Sequence, residues 1–140
     1  MEKNNLILLG LVAVISLLIV GCSGSEFPKE STDKLASCLV EKNVKEYGAF
    51  WCPNCAKQAQ MFGKSMSILK EQGAYVECDP RCDTTEDKLP AACKGMIGNP
   101  RLCLEKGVNK YPDWQFPNGE KLVGIQELSQ LAATAGCEFP

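Results

Sequence analysis

The stretch VKEYGAFWCPNC, residues 44–55, decides the fold. Its first eight residues are rich in β-formers and aromatics, which predicts a strand running directly into Cys52. Pro53 suits the first turn of a helix, because that position makes no use of its backbone N–H. The sequence therefore predicts a strand-to-helix transition at Cys52.

Cys52 and Cys55 form a Cys-x-x-Cys pair at this transition. A sulfur at a helix N-terminus lies beside unpaired backbone N–H groups and the positive end of the helix dipole, which stabilise its thiolate. Cys55 lies one helical turn later, close enough to close a small disulfide ring. Zinc sites and structural bridges share this spacing, but its position after a strand favours a redox pair. We expect it to cycle between dithiol and disulfide without a separate cofactor.

The composition argues against several other classes of function. The chain has 140 residues, enough for one small domain. Its net charge is −2, from 15 basic and 17 acidic residues that are interspersed, so no nucleic-acid partner is expected. Histidine is absent, which makes a hydrolase triad improbable.

The N-terminus carries an apolar run, LILLGLVAVISLLIVG, over residues 6–21. Lys3 precedes the run and polar residues follow it, as in an export signal. The sequence IVGC that ends at Cys22 resembles a bacterial lipoprotein box, which implies that Cys22 becomes the lipidated N-terminus. The alternative is an uncleaved anchor helix in which Cys22 is incidental.

Either alternative places the domain on the extracytoplasmic face of the membrane. We expect a signal peptide or anchor over residues 1–21, a tether over 22–30 and one domain over 31–140. Nine cysteines in so small an exported chain indicate disulfides and an oxidising compartment. Apart from Cys22 they are eight, an even number, but spacing alone does not give their connectivity.

The remaining chain alternates helical and strand signals. Predicted helices cover residues 31–42 (with Ser31, Thr32 and Asp33 as caps), 53–72, 101–106 and 125–135; predicted strands cover 44–51, 74–78, 113–116 and 120–123. Between residues 78 and 103 we expect a disulfide-stapled loop with short helical pieces. This order predicts an α/β fold in which helices flank a central mixed sheet.

Tyr111-Pro112 stands just before the predicted hairpin. Proline can open a sheet strand at an edge or bend, and a cis peptide would serve there. The alternative is an ordinary trans loop proline.

Four stretches together carry a family resemblance. They are YGAFWCPNC (47–55), YVEC (75–78), CLEKGVNKYPDW (103–114) and NGEKLVGIQELSQLA (118–132). Over residues 35–139 the chain resembles the thioredoxin-like domains fused to, or encoded beside, bacterial vitamin K epoxide reductase homologues. The resemblance implies a thioredoxin-like fold and thiol–disulfide exchange, for disulfide formation or isomerisation in exported cysteine-containing proteins.

The resemblance also implies roles for particular residues. Cys52 would be the exposed nucleophile, Cys55 the resolving thiol and Tyr111-Pro112 a cis-proline ledge for substrate. The surface that receives substrate would further include Trp51, Pro53 and Asn54. Run in reverse, the same pair would reduce disulfides outside the membrane, and the sequence does not set the direction.

The chain departs from the family pattern at three places. Asn54 stands where related oxidants often carry histidine, which predicts a less oxidising pair. The four-helix reductase domain of the family does not accompany this sequence, so we expect reoxidation by a separate vitamin K epoxide reductase-like or DsbB-like membrane protein. An apparent insertion carries Cys82 and Cys93 between the two positions that resemble a structural pair of the family, Cys78 and Cys103. The expected disulfides are Cys78 with Cys103, Cys82 with Cys93 and, by parity alone, Cys38 with Cys137.

Glu46 lies six residues before Cys52, where thioredoxins carry a buried acid associated with deprotonation of the resolving cysteine. If it faces inward, it could transfer that proton. A glutamate beside Lys45 is more often solvated, because burying a charge is costly.

Two further classes of function stay open. Cys52, Cys55, Cys78 and Cys82 have spacings that zinc ligands also use. The chain could also be a stapled binding module in which the Cys52–Cys55 pair is inert.

Overall fold

Five strands form one mixed sheet in the computed structural model, which describes residues 26–140. The strands are β1 (Lys45–Gly48), β2 (Tyr75–Glu77), β3 (Ile97–Gly98), β4 (Asp113–Gln115) and β5 (Lys121–Val123). Their order is β3-β2-β1-β4-β5. The β1–β2 and β2–β3 pairs are parallel, whereas β1–β4 and β4–β5 are antiparallel. The central strand β1 leads into the Cys-x-x-Cys pair.

Within residues 26–140, five α-helices accompany this sheet. They are α1 (Lys29–Glu41), α2 (Pro53–Phe62), α3 (Met66–Glu71), α4 (Pro100–Glu105) and α5 (Leu128–Ala135). A 3₁₀ turn at Gly63–Ser65 joins α2 to α3. The α/β class and the thioredoxin-like arrangement expected from the sequence are therefore confirmed.

The two faces of the sheet carry separate apolar clusters, because successive side chains of a strand point to opposite faces. The larger cluster includes Leu39 from α1, Trp114 from β4 and Leu131 from α5. The smaller cluster contains Tyr47 and Val76 on the opposite face. Both clusters support β1, the strand that ends at the redox pair.

Among the described residues, three disulfides cross-link the chain. Cys38 of α1 is bonded to Cys137 of the C-terminal tail, Cys78 to Cys103 of α4, and Cys82 to Cys93 within the insertion. These are the same three pairs that the sequence analysis expects. The insertion contains three 3₁₀ turns, as short helical pieces, and the strand β3.

Several predicted element bounds are wrong. The helix predicted over residues 53–72 breaks at Gly63, whose φ of 57° and ψ of −131° end α2. The first helix begins at Lys29, so Ser31 lies inside it and does not act as a cap. The short strand β3 was not predicted, because it has only two residues and depends on pairing with β2. The last helix begins at Leu128 and not at residue 125.

The predictions for the N-terminal segment lie outside the described residues. These are the signal or anchor over residues 1–21 and the lipidation of Cys22. Within residues 26–140, no helix is both long and apolar enough to cross a membrane.

Candidate redox site

Cys52 is the N-cap of α2, and Pro53 follows as the first helical residue. The Cys52 backbone is extended, with φ −78° and ψ 119°, because it leaves the strand segment and enters the helix at this point. The backbone N–H of Cys55 donates to the Cys52 sulfur over 3.4 Å. Both cysteines are free thiols, so the structure shows the dithiol state. The start of α2 therefore directs a backbone N–H at the Cys52 sulfur.

The two cysteines are almost equally covered. Cys52 is 7% exposed and Cys55 is 6% exposed. The resemblance implies an exposed nucleophile, and in this dithiol state Cys52 is instead nearly buried, because Ala49, Cys55 and Tyr111 pack around it. Burial raises the pKa of the Cys55 thiol, and its contact with Cys52 raises that pKa further. Cys55 is therefore held as a neutral thiol.

The Tyr111–Pro112 peptide bond is cis, and Pro112 is buried immediately before β4. The alternative of a trans loop proline is wrong. The Cys52 thiol approaches the Tyr111 carbonyl oxygen at 3.9 Å, so the ledge expected beside the nucleophile lies against it. The backbone N–H of Gly124 donates to the Pro112 carbonyl over 2.8 Å, which fixes the far side of the ledge.

Trp51 lies at the surface next to the redox pair, with 55% of its area exposed. Its indole ring meets the ring of Tyr111 edge to face, with 6.0 Å between centroids. The indole Nε1–H donates to Asp79 Oδ2 over 2.7 Å. Trp51 and Tyr111 thus form an aromatic surface beside Cys52. Pro53 and Asn54 are also exposed there.

Asp79 bonds this tryptophan and Arg81 holds Asp79, and neither residue was predicted from the sequence. The Arg81 guanidinium contacts Asp79 through two hydrogen bonds, of 2.9 and 2.8 Å. That contact keeps the pKa of Asp79 well below its usual range. Arg81 also stacks over Phe50, 4.8 Å from the ring centroid. The insertion therefore contributes directly to the rim of the redox site.

Glu46 is fully buried on β1, so the alternative of a solvated glutamate is wrong. Neither carboxylate oxygen has a hydrogen-bond partner within the described part of the chain. Burial raises the pKa of Glu46 to about 8, while Lys70 opposes the shift. Glu46 is also close enough to Cys55 to raise the pKa of that thiol electrostatically.

A second buried carboxylate, that of Glu77, lies on β2 opposite Gly48 of β1, and it was not predicted from the sequence. Glu77 accepts hydrogen bonds from the Tyr75 hydroxyl over 3.0 Å and from the Asp79 N–H over 2.9 Å. The Tyr75 hydroxyl and the Cys55 sulfur both pack against Gly48, where an added Cβ would lie 2.8 and 3.1 Å from them. The sequence signal for Glu77 is its position two residues after Tyr75, because residues two apart in a strand lie on the same face.

A cleft of about 200 Å³ opens beside Cys55 on this side. It is lined mainly by apolar side chains, with Lys70 as its charged residue. Cys55 lines the cleft and Cys52 does not.

The proposed zinc ligands do not form one group. Cys78 and Cys82 are bonded to Cys103 and Cys93, respectively. Within residues 26–140, no three acidic, cysteine or histidine side chains are arranged to hold a metal ion. The four-cysteine zinc alternative is therefore wrong for this disulfide-bonded state.

The sheet order, the Cys-x-x-Cys pair at a helix start and the adjacent cis-proline together define a thioredoxin-like domain. The chain is similar to the thiol-disulfide oxidoreductase LTO1 of Arabidopsis thaliana, with 34% identity over 102 residues. The alignment covers 73% of this chain and 23% of that relative, so the chain spans about a quarter of its length. No protein-family model matches the sequence.

Proposed function

We propose that this chain is an extracytoplasmic thiol–disulfide oxidoreductase whose redox centre is the Cys52–Cys55 pair. One observation carries the proposal: at the start of α2 the Cys52 sulfur accepts the Cys55 N–H and lies against the cis Tyr111–Pro112 ledge. The similarity to LTO1, named a thiol-disulfide oxidoreductase, supports a redox role in disulfide handling.

The oxidising direction begins from a Cys52–Cys55 disulfide. A substrate thiolate attacks the Cys52 sulfur, so that the Cys52–Cys55 bond breaks and a mixed disulfide forms on Cys52. Cys55 leaves as a thiolate and takes up a proton, since burial raises the pKa of its thiol. A second substrate thiolate then attacks the substrate sulfur of the mixed disulfide. This step releases the Cys52 thiolate and an oxidised substrate, and two electrons have passed to the protein.

Glu46 is suited to exchange the proton of Cys55. Within residues 26–140 its buried carboxyl group has no hydrogen-bond partner, and burial raises its pKa to about 8. A group with such a pKa can both give and accept a proton. Glu46 would protonate the departing Cys55 thiolate in oxidation and deprotonate Cys55 in the reverse direction.

Substrate would bind over the exposed side of the pair. Trp51 and Tyr111 offer an apolar surface, and Pro53 and Asn54 offer the exposed start of α2. Such a surface fits an unfolded segment of an exported cysteine-containing protein, because aromatic rings contribute large contact areas at low entropic cost.

The site of action is part of the proposal. An export signal and lipidation at Cys22, or an uncleaved anchor, would tether the domain to the outer face of the cell membrane. A vitamin K epoxide reductase-like or DsbB-like membrane protein would then reoxidise the pair. Oxidation or isomerisation is the favoured direction, and disulfide reduction is the alternative.

A trapping experiment tests the proposal. Cys55→Ala should accumulate a mixed disulfide between Cys52 and scrambled, disulfide-bonded ribonuclease. The Cys52 thiolate attacks a substrate disulfide and releases one substrate thiolate, and no Cys55 thiol remains to displace the bound substrate. Cys52→Ala should give none, and the Cys82→Ala/Cys93→Ala variant should turn over as the wild type does. Mass spectrometry of the acid-quenched adducts reads the result. Absence of any Cys52 adduct would refute the proposal and favour an inert binding module.

The reduction potential decides the direction. It can be measured in glutathione buffers from Trp51 fluorescence, since Trp51 adjoins the pair. A value between about −120 and −200 mV supports an oxidase or isomerase, and one near about −270 mV supports a reductase.

A further inference from the structure

Gln58 is a fully buried amide on the helix that carries the redox pair. It lies three residues after Cys55, and the two share the inward side of α2. Its Oε1 accepts the backbone N–H of Gln126 over 2.7 Å, and its Nε2 donates to the backbone carbonyl of Gln126 over 3.0 Å. The Gln58 side chain thus bonds to both the N–H and the carbonyl of Gln126, the same two groups that a neighbouring β-strand would bond.

Gln126 belongs to the turn between β5 and α5, residues 124–127. The same turn bonds to the redox ledge, because the Gly124 N–H donates to the Pro112 carbonyl over 2.8 Å. The Gln126 side chain closes the turn on itself by donating to the Gly124 carbonyl over 3.0 Å. A continuous set of hydrogen bonds therefore connects α2, the β5–α5 turn and the cis-proline ledge.

Packing alone gives no reason for an amide at this position. The other buried residues of α2, Cys55 and Phe62, are apolar. A buried amide costs free energy unless its groups are hydrogen-bonded, and here the benefit depends on the bonds to Gln126. The specific consequence of Gln58 is to fix the distance between α2 and the turn.

We propose that Gln58 is a positioning residue for polypeptide substrates, holding the β5–α5 turn and the Tyr111–Pro112 ledge in register with the Cys52–Cys55 pair. This inference rests on the proposed function. Two exposed apolar residues, Val123 and Ile125, stand on either side of Gly124 and extend the surface that a polypeptide would contact. Glutathione is too small to need that surface, so its reaction at Cys52 does not depend on the turn.

The experiment compares two substrates in the wild-type full chain and in two variants of it. Gln58→Leu keeps the size of the side chain and removes both hydrogen bonds to Gln126, together with the weaker contact to the Met61 sulfur. Gln60→Leu is the matched control on the exposed side of the same helix. For Gln58→Leu the KM for reduced, unfolded ribonuclease should rise about fivefold, which is the loss of roughly one net hydrogen bond. The rate constant with glutathione should stay at the wild-type value, and Gln60→Leu should change neither.

Gln58→Glu gives a second test that survives if the leucine variant fails to fold. A glutamate can accept the Gln126 N–H, but once ionised it has no proton to donate to the Gln126 carbonyl. A protonated glutamic acid recovers that donor. The ratio of variant to wild-type KM for ribonuclease should therefore fall toward one as the pH is lowered from about 8 to about 6, since burial raises the pKa of a carboxyl group.

The outcomes separate the inference from the function on which it rests. Equal losses with ribonuclease and glutathione, no change in a folded Gln58→Leu protein, or a pH-independent ratio for Gln58→Glu would each overturn the positioning role while leaving the oxidoreductase in place. A wild-type protein inactive on both substrates would overturn the proposed function and the positioning role with it.

Discussion

Glu46 is a carboxyl group whose charged form the fold disfavours, because burial raises its pKa to about 8. A carboxylate buried without hydrogen bonds costs far more than an apolar side chain of similar size. An uncompensated group of this kind is a candidate for chemistry, because an ordinary core position would be filled by a hydrophobic residue. Its position on β1, near Cys55, agrees with the proton-transfer role that we propose.

The pKa of Glu46 predicts how stability depends on pH. The folded pKa of about 8 lies above the unfolded value of 4.5, so the folded state holds the proton more tightly. The resulting stabilisation is complete below pH 4.5 and is lost as the pH rises toward 8. Glu46→Gln should remove this decline, which is on the order of 4 kcal/mol across the window. Urea unfolding of both proteins at several pH values measures it.

The control for this experiment is Glu71→Gln, which removes an exposed carboxylate at the end of α3. It should leave the pH dependence of the unfolding free energy as in the wild type. If Glu46→Gln keeps the same decline, Glu46 is not the group that titrates between these pH values.

Asn54 predicts a shift in reduction potential. It is exposed at the start of α2, two residues after Cys52. In Asn54→His a protonated imidazole would favour the Cys52 thiolate, which stabilises the reduced pair and makes the protein more oxidising. We expect the potential to rise on the order of 30 mV, a tenfold change in the glutathione equilibrium. Gln60→His, farther along the helix, is the control, and equal potentials for all three proteins would contradict the argument.

The residues predicted from the sequence are those whose signals are local. Cys52 and Cys55 follow from their spacing at a strand-to-helix transition. Pro112 follows from its position before a predicted hairpin and from the family resemblance. The structure places the three residues together. Gln58 and Glu77 were missed because their partners lie elsewhere: Gln58 bonds a backbone 68 positions away, and Glu77 is buried only when β2 joins the sheet. A single sequence shows that such residues are polar but not what they contact.

At the scale of elements, the break between α2 and α3 shows how tertiary contacts override a periodic pattern. The apolar stripe continues through residues 53–72, so periodicity alone predicts one helix. In the structure, Ser65 of the intervening 3₁₀ turn bonds to Thr32 over 2.8 Å and to Asp33 over 2.6 Å. Both partners belong to α1, and the chain bends at Gly63 to reach them.

The backbone conformation of Gly63 predicts that a side chain at this position lowers the free energy of unfolding. Its φ of 57° with ψ of −131° lies in a region that residues with a Cβ rarely adopt. Gly63→Ala should lower the free energy of unfolding by about 1–3 kcal/mol. Chemical denaturation measures the loss, and Lys64→Ala, at the exposed next position, should cost much less. An unchanged midpoint in Gly63→Ala would show that the turn adapts to a side chain.

At the scale of the whole molecule, the structural disulfides join segments at very different separations in sequence. The three structural bonds span 99, 25 and 11 positions of sequence. The longest, Cys38–Cys137, joins α1 to the tail, and Phe27 packs on Phe139 nearby with 4.8 Å between ring centroids. The Cys38–Cys137 pair was predicted only because these two cysteines remained after the others had been paired. Nothing local in the sequence indicates that the two ends of the domain meet.

This longest disulfide should contribute most to stability. In the chain-entropy view a cross-link stabilises by restricting the unfolded chain, so the effect grows with the loop that it closes. Cys38→Ala/Cys137→Ala should cost about 5 kcal/mol, whereas Cys82→Ala/Cys93→Ala should cost about 3 kcal/mol. Denaturant unfolding measures both, and exchange by Cys52 should persist in each folded variant. An equal or reversed order would mean that the tail already associates with α1 in the unfolded chain, so that the cross-link removes little entropy.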